Sequence, residues 1–119
     1  MIYDITPCPA PRMTKADAWK KRPCVLRYFA FKDEIESKKV TYNCGQAITF
    51  VIPFPKSYSK NKREGLNGKP HLLTPDADNL LKALLDAIFS QSSGKNDSHV
   101  WHIGEIKKIW GHTGKIIIN

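Results

Sequence analysis

Three aspartates and a lysine in the second half of the chain have the side chains and the spacing needed to hold a divalent cation beside a phosphate. Asp76 and Asp78 are two residues apart, so in an extended backbone their side chains point the same way. Asp97 follows a polar loop and precedes an apolar run. Hard cations such as Mg²⁺ prefer carboxylate oxygens, so converging aspartates would form a site. Lys82, one helical turn beyond Asp78, could stabilise charge that develops during phosphodiester cleavage.

The same residues also fit an ordinary helix start. Acids in a first helical turn interact favourably with the helix dipole, and Asp78, Lys82 and Asp86 have the i, i+4 spacing of surface ion pairs. Taken alone, this segment favours the structural interpretation over the catalytic one. The choice therefore depends on the rest of the chain.

A helix from about Asp76 to Ser90 must position these side chains. Thr74 or Asp76 can cap it, and Pro75 suits its first position, where a missing N–H costs nothing. At 100° per residue, the charged side chains lie opposite one apolar stripe. This stripe consists of Leu80, Leu81, Leu84, Leu85 and Ile88.

Apolar periodicity and proline or glycine boundaries predict the other elements. These are a short strand from Ile2 to Thr6, a helix from Pro23 to about Lys38, a buried strand from Ala47 to Phe54, and a hairpin of Val100 to Trp110 and Lys115 to Ile118 with its turn at 111–114. The apolar residues with helical spacing in the first helix are Val25, Leu26, Phe29, Ala30 and Ile35.

This order, β-α-β-α-β-β, predicts an α+β fold in which helices pack on a small mixed β-sheet. A chain of 119 residues is long enough to bury a core without disulfides or metals, so we predict a single domain over residues 1–119.

The charge balance predicts a polyanionic partner. The chain has 19 Lys and Arg against 11 Asp and Glu, a formal charge of +8, which indicates nucleic acid. A membrane partner is disfavoured, because the sequence has neither a basic amphipathic helix with a clean apolar face nor an apolar run of about 20 residues.

Basic residues are concentrated immediately before the acidic stretch, between Pro55 and Pro70, here named the basic segment. That segment lacks periodicity, so we predict a mobile surface loop that could wrap a phosphate backbone, with a disordered connector as the alternative. Tyr58 could stack on an unpaired base there. The candidate DNA-binding residues are Lys56, Lys60, Lys62, Arg63 and Lys69, together with Arg12 in an earlier basic cluster that fits a solvated linker equally well.

The cysteines indicate a reducing compartment. Cys8, Cys24 and Cys44 are odd in number and widely spaced, without a Cys-x-x-Cys pair, which argues for free thiols and against structural zinc. The first residues lack the pattern of a secretion signal, so we predict a cytoplasmic protein.

Taken together, the motifs resemble those of the RusA-type Holliday junction resolvases, small endonucleases common in phages and prophages. The family's signatures are Pro-Asp-x-Asp-Asn-x-x-Lys, x-Asp-Ala and Asp-Asp-Ser/Ala-Gln-Val, and the proline-rich stretch from Thr6 to Arg12 is similar to its amino-terminal segment. The matching residues here are Pro75-Asp76-Ala77-Asp78-Asn79-Leu80-Leu81-Lys82, then Leu85-Asp86-Ala87, then Asn96-Asp97-Ser98-His99-Val100.

The resemblance implies a role for each acidic residue. Asp76, Asp78 and Asp97 would hold Mg²⁺, for which Mn²⁺ can substitute, Lys82 would be the catalytic lysine, and Asp86 a supporting acid. It also implies a homodimer, since two identical sites can make the paired incisions that a two-fold symmetric four-way junction requires. The expected location is the cytoplasm or nucleoid of a bacterial host cell.

The chain departs from the family pattern at two positions. Asn96 replaces the first of two adjacent acids, and His99 replaces the usual Gln. We align the essential acid with Asp97, which keeps its spacing to Val100. If the essential acid were instead at position 96, the site would lack a ligand.

The sequence thus predicts an Mg²⁺-dependent endodeoxyribonuclease that cuts branched DNA, four-way junctions first, without a membrane or a protein partner other than a second copy. The alternatives are a basic DNA-binding protein without catalysis and a nuclease of broader specificity acting on flaps or forks. An RNA-directed role has only the net charge in its favour.

Overall fold

Four β-strands are built from the apolar, β-branched segments of the chain. The protein is described by a computed structural model that covers residues 1–11, 22–89 and 99–119. Within these residues the strands are β1 (Ile2–Tyr3), β2 (Ile48–Pro53), β3 (Ile106–Gly111) and β4 (Lys115–Ile118). They form one sheet in the order β1-β4-β2-β3, in which β2 pairs parallel with β3 and antiparallel with β4. The sheet is therefore mixed.

Three helices accompany the sheet in the same residues: α1 (Pro23–Ser37), α2 (Lys60–Leu66) and α3 (Ala77–Phe89). Buried side chains of α1 and α3 share one core with the inner face of the sheet, where Ile48, Phe50 and Ile116 are fully buried. Burial of this apolar face is the main stabilising term for both helices. The α+β class with helices packed on a small mixed sheet is confirmed.

Helix α1 begins and ends close to the predicted bounds, and its predicted apolar residues are confirmed in part. Its buried residues are Val25, Tyr28, Phe31 and Ile35. Leu26 and Phe29, which were expected in the core, are 48% and 44% exposed, and Ala30 is exposed too. The four buried residues follow one another at steps of three or four and share one face of the helix, and the three exposed ones lie outside that face.

Helix α3 has the predicted bounds to within one residue at each end, and its buried stripe is confirmed. Leu80, Leu84, Leu85 and Ile88 are buried, whereas Leu81 is half-buried. Pro75 lies two residues before the helix and not at its first position, after a cis Thr74–Pro75 bond.

The predicted loop between Pro55 and Pro70 contains helix α2. Ser59 caps this helix, since its hydroxyl accepts a hydrogen bond from the Lys62 N–H at 3.2 Å. The helix was missed because its seven residues include one apolar side chain, Leu66, and no residue of α2 is buried. A segment with one apolar residue shows no apolar periodicity from which a helix could be predicted.

The predicted hairpin is wrong. β3 and β4 lie on opposite sides of β2 and do not pair with each other, and β3 begins at Ile106, six residues after the predicted start. Residues 112–114 cross the end of β2. A central strand needs hydrogen-bonding partners on both edges, and β3 and β4 supply one each.

The cysteines are free in the structure, Cys8 and Cys24 half-buried and Cys44 exposed. Among the described residues, no helix is long and apolar enough to span a bilayer.

Candidate active site

The first turn of α3 presents two carboxylates to solvent. The Asp76 carbonyl accepts the first helical hydrogen bond, from Leu80 N–H at 3.1 Å, so Asp76 occupies the N-cap position. Asp78 Oδ1 accepts a hydrogen bond from the Asn79 N–H at 2.9 Å. Both acidic residues are exposed. They lie at the N-terminal end of the helix, where the helix dipole interacts favourably with a negative charge.

Lys82 is exposed one turn further along α3. Within the described residues, Lys82 forms no ion pair with Asp78 or Asp86, so the ladder that the spacing allowed is not formed. Its spacing from Asp78 places the Lys82 side chain on the same side of the helix as Asp78.

Asp86, predicted to support the site, faces helix α1. Its Oδ2 accepts a long hydrogen bond, 3.5 Å, from the Tyr28 hydroxyl, and the Lys32 ammonium lies 4.8 Å from the centre of the Tyr28 ring. Burial, and then the Asp86 carboxylate, raises the pKa of Tyr28 to about 12. Asp86 therefore contributes to the packing of α1 against α3.

The third predicted ligand, Asp97, lies outside the described residues, as do Asn96 and Arg12. His99 lines a cavity of about 170 Å³ together with Phe89, in the last turn of α3. Asp78 and Phe89 are separated by about 16 Å along the helix axis at 1.5 Å per residue. Among the described residues, no three His, Cys, Asp or Glu side chains form a cation site. Convergence of the three aspartates stays a prediction.

Lys108 in β3 is a site residue that sequence reasoning missed. It lies in register with Phe50, which is in register with Ile116, so its side chain leaves the sheet on the face that packs against α3. Its ammonium donates hydrogen bonds to the carbonyls of Leu73 at 2.6 Å and Pro75 at 2.7 Å. Lys108 thus binds the backbone directly before Asp76.

A signal for Lys108 was present in the strand pattern. In the run Ile106-Lys107-Lys108-Ile109-Trp110, period-two alternation puts Lys108 in phase with Ile106 and Trp110, on the apolar face. A lysine on a core-facing position must find polar partners, because an unpaired buried ammonium is costly.

Residues 68–71, here named the edge segment, run antiparallel along the outer edge of β3. Gly68 N–H donates to the Trp110 carbonyl at 2.9 Å, Trp110 N–H to the Lys69 carbonyl at 3.0 Å, and His71 N–H to the Lys108 carbonyl at 2.9 Å. Pro70 forms a bridge with Ile109. These bonds cover the free edge of β3 and carry the chain from the basic segment to the acids of α3.

His71 anchors the edge segment. Its side chain is 4% exposed, and its ring centre lies 4.3 Å from that of Trp110. Burial, and then the nearby Lys108 cation, lowers the pKa of His71. The ring is therefore neutral at physiological pH and packs as an aromatic side chain.

The predicted DNA-binding residues of the basic segment divide into two groups. Arg63 is half-buried, and its guanidinium donates to the carbonyls of Pro55 at 3.2 Å and Lys56 at 3.3 Å. The Lys62 ammonium lies 3.9 Å from the centre of the Tyr58 ring, which also packs against Trp110. Arg63 thus fixes the segment itself. The second group is exposed and consists of Lys56, Lys60, Lys62 and Lys69.

One comparison with known proteins gives a match. A family model for endodeoxyribonuclease RusA matches residues 13–119. The matched range includes the acids of α3, Lys82 and Asp97, and it begins after the proline-rich stretch from Thr6 to Arg12, whose similarity stays a prediction. No curated protein and no solved structure gives a significant match.

Proposed function

The chain belongs to the RusA endodeoxyribonuclease family, and from this premise we propose that it is a magnesium-dependent nuclease that resolves four-way DNA junctions by paired hydrolysis of phosphodiesters. The observation that carries the proposal is the pair of exposed carboxylates at the start of α3, inside the matched range, of which Asp78 lies on the same side of the helix as Lys82. Family membership supports a Holliday junction endodeoxyribonuclease, and the proposal adds the metal, the residue roles and the dimer.

The side chains at the start of α3 suit a hard cation. Asp76 and Asp78 offer carboxylate oxygens, which both Mg²⁺ and Mn²⁺ accept, and Asp97 would add a third carboxylate. When bound, the ion supplies Lewis-acid polarisation of the scissile phosphate and activation of a water molecule. The three aspartates would hold and orient it.

In the proposed reaction, Lys82 would stabilise the negative charge that develops on the phosphate. Its ammonium, exposed and on the side of Asp78, would donate to a non-bridging phosphate oxygen or to the leaving oxygen as negative charge develops there. Such a contact accelerates the reaction only if it is stronger in the transition state than with bound substrate.

Affinity would come from the basic surface. The exposed residues Lys56, Lys60, Lys62 and Lys69 would contact phosphates without reading sequence, and Arg12 and Arg63 are further candidates. In the homodimer that we propose, the formal charge of +8 on each chain is doubled, and a two-fold axis places two sites on opposing strands of the junction. We place this activity in the cytoplasm of a bacterial host cell.

The test is cleavage of a synthetic four-way junction with each strand labelled in turn. With Mg²⁺ we expect nicks at symmetric positions in two opposing strands, and Asp78→Asn should produce none. Binding without nicks across Mg²⁺ and Mn²⁺ concentrations would instead identify a non-catalytic DNA-binding protein. Flap, fork and linear duplexes at equal concentration test specificity, because equal rates on all of them would remove the preference for junctions.

A further inference from the structure

The backbone just before the acids of α3 is held by one lysine side chain. The Lys108 ammonium donates to the Leu73 carbonyl at 2.6 Å and the Pro75 carbonyl at 2.7 Å. Both distances are short, as expected for charge-assisted hydrogen bonds. Pro75 is directly followed by Asp76, so these bonds fix the peptide unit from which Asp76 extends.

The same residue also holds the start of this loop. The Lys108 carbonyl accepts a hydrogen bond from His71 N–H at 2.9 Å, and Pro70 bridges to the neighbouring Ile109. Residues 71–76, here named the acid loop, are thus attached to Lys108 at their beginning through its main chain and near their end through its side chain. The sheet thereby determines where α3 begins.

We propose that Lys108 is a positioning residue for catalysis, which sets the direction of the Asp76 carboxylate by holding the acid loop, while Lys82 meets the substrate. This inference rests on the proposed function, because it assumes that Asp76 binds the metal. A site for cation and phosphate must be held to within about 0.5 Å, and an exposed loop meets that requirement only when its backbone is fixed. Lys108 provides such a fixed point from inside the fold.

Lys107 supplies a matched control. It is the adjacent residue of the same strand and carries the same charge, but it lies on the opposite face, is exposed, and pairs with Glu105 at 3.4 Å. Lys107→Met and Lys108→Met therefore make the same chemical change on two faces of β3. Lys108→Arg keeps a cation that can donate to two carbonyls and tests for rescue.

The first measurement is single-turnover cleavage of a four-way junction at saturating enzyme over a series of Mg²⁺ concentrations, with junction affinity determined in Ca²⁺. We expect Lys108→Met to cleave up to about 100-fold more slowly, with a higher Mg²⁺ midpoint and unchanged affinity. Lys107→Met should match the wild-type rate, and Lys108→Arg should recover part of it. Equal rates for the two Met variants would overturn the proposal.

The second measurement does not depend on cleavage. In ¹⁵N–¹H spectra of the metal-free protein, Lys108→Met should shift the amide signals of residues 72–78 while those of α1 keep their wild-type positions. Titration with Mn²⁺ should then broaden signals near Asp76 at higher concentrations than in the wild type. Unchanged signals at 72–78 would sink the positioning role, and general loss of signal dispersion in both the Met and Arg variants would show that Lys108 serves the whole fold.

These two readouts separate the inference from its premise. If the wild-type protein fails to cut any junction, the proposed function fails, and the spectra still show whether Lys108 holds the acid loop. If the wild type cuts and Lys108→Met cuts equally well, only the positioning role fails.

Discussion

Two neighbouring charged regions, the basic segment at 55–70 and the start of α3, are built in different ways. The basic segment is fixed in part by its own residues, through Arg63 to the carbonyls of Pro55 and Lys56, and presents exposed lysines. The start of α3 depends on Lys108, which lies 33 residues beyond Pro75. Phosphate attraction requires only exposed charge, whereas catalysis requires exact placement. Substitutions in the first region should therefore change affinity gradually, and those in the second should change rate abruptly.

The largest effect is expected for Asp78→Asn. The change removes a proposed metal ligand, so single-turnover cleavage should fall by at least about 100-fold, the upper range seen when a group that merely orients a ligand is lost. Junction affinity should be unchanged or higher, since a negative charge facing phosphate disappears. Asp33→Asn in α1, also exposed, is the matched control. Near-wild-type nicking by Asp78→Asn would contradict the metal assignment.

Lys82→Ala should come next, with a rate loss of about 100-fold at saturating enzyme, as for removal of one donor that stabilises transition-state charge. Junction affinity measured in Ca²⁺ should change little. A loss of affinity with an unchanged saturated rate would place Lys82 with the basic segment, as a simple phosphate contact.

The double variant Lys60→Ala/Lys69→Ala should weaken junction binding without changing the saturated cleavage rate. If each lysine neutralises one phosphate, the slope of log affinity against log salt should become smaller by about 2. Fluorescence anisotropy across a salt series measures this slope, with Lys107→Ala as the control. An unchanged slope would move the DNA-binding surface elsewhere.

The smallest effect concerns Tyr28, which lies where α1 packs against α3, and it tests whether its hydroxyl is held there beside Asp86 of α3. Burial, and then the Asp86 carboxylate, raises the pKa of Tyr28 to about 12 in the folded protein, whereas the unfolded value is near 10. Between these values the unfolded state loses the phenol proton first, so stability should fall as pH rises from about 10 to about 12. Tyr28→Phe should make the free energy of unfolding less dependent on pH in this range. An identical pH dependence in both proteins would show that folding does not raise the pKa of Tyr28.

Local patterns in the sequence were sufficient to predict the position of several helices and strands. Helices α1 and α3, strand β2 and the exposed acids of α3 follow from periodicity, proline boundaries and spacing. The strand order could not be predicted, because insertion of β2 between β3 and β4 depends on pairing between distant segments. Asp97 and its place in the site lie outside the described residues.

The site was predicted in the same uneven way. The carboxylate pair and Lys82 lie within seven residues at the start of α3, so their proximity follows from spacing, and the resemblance to the family motif adds their proposed roles. Lys108 acts through two carbonyls that carry no side-chain signature, so it is recognisable only once the face of β3 is known. Lys107 and Lys108 are adjacent and identical in type, and they differ only in the face of β3 on which their side chains lie. Lys107 forms an exposed ion pair, whereas Lys108 holds the backbone before α3.

The strand that holds the start of α3 is synthesised late. β3 and β4 are synthesised after every other element described, yet they flank β2 on both edges and supply the support for the start of α3. A growing polypeptide on the ribosome therefore carries its acids before it can hold them in place. Placement of the acids of α3 by Lys108 therefore requires that β3 has been synthesised and has paired with β2.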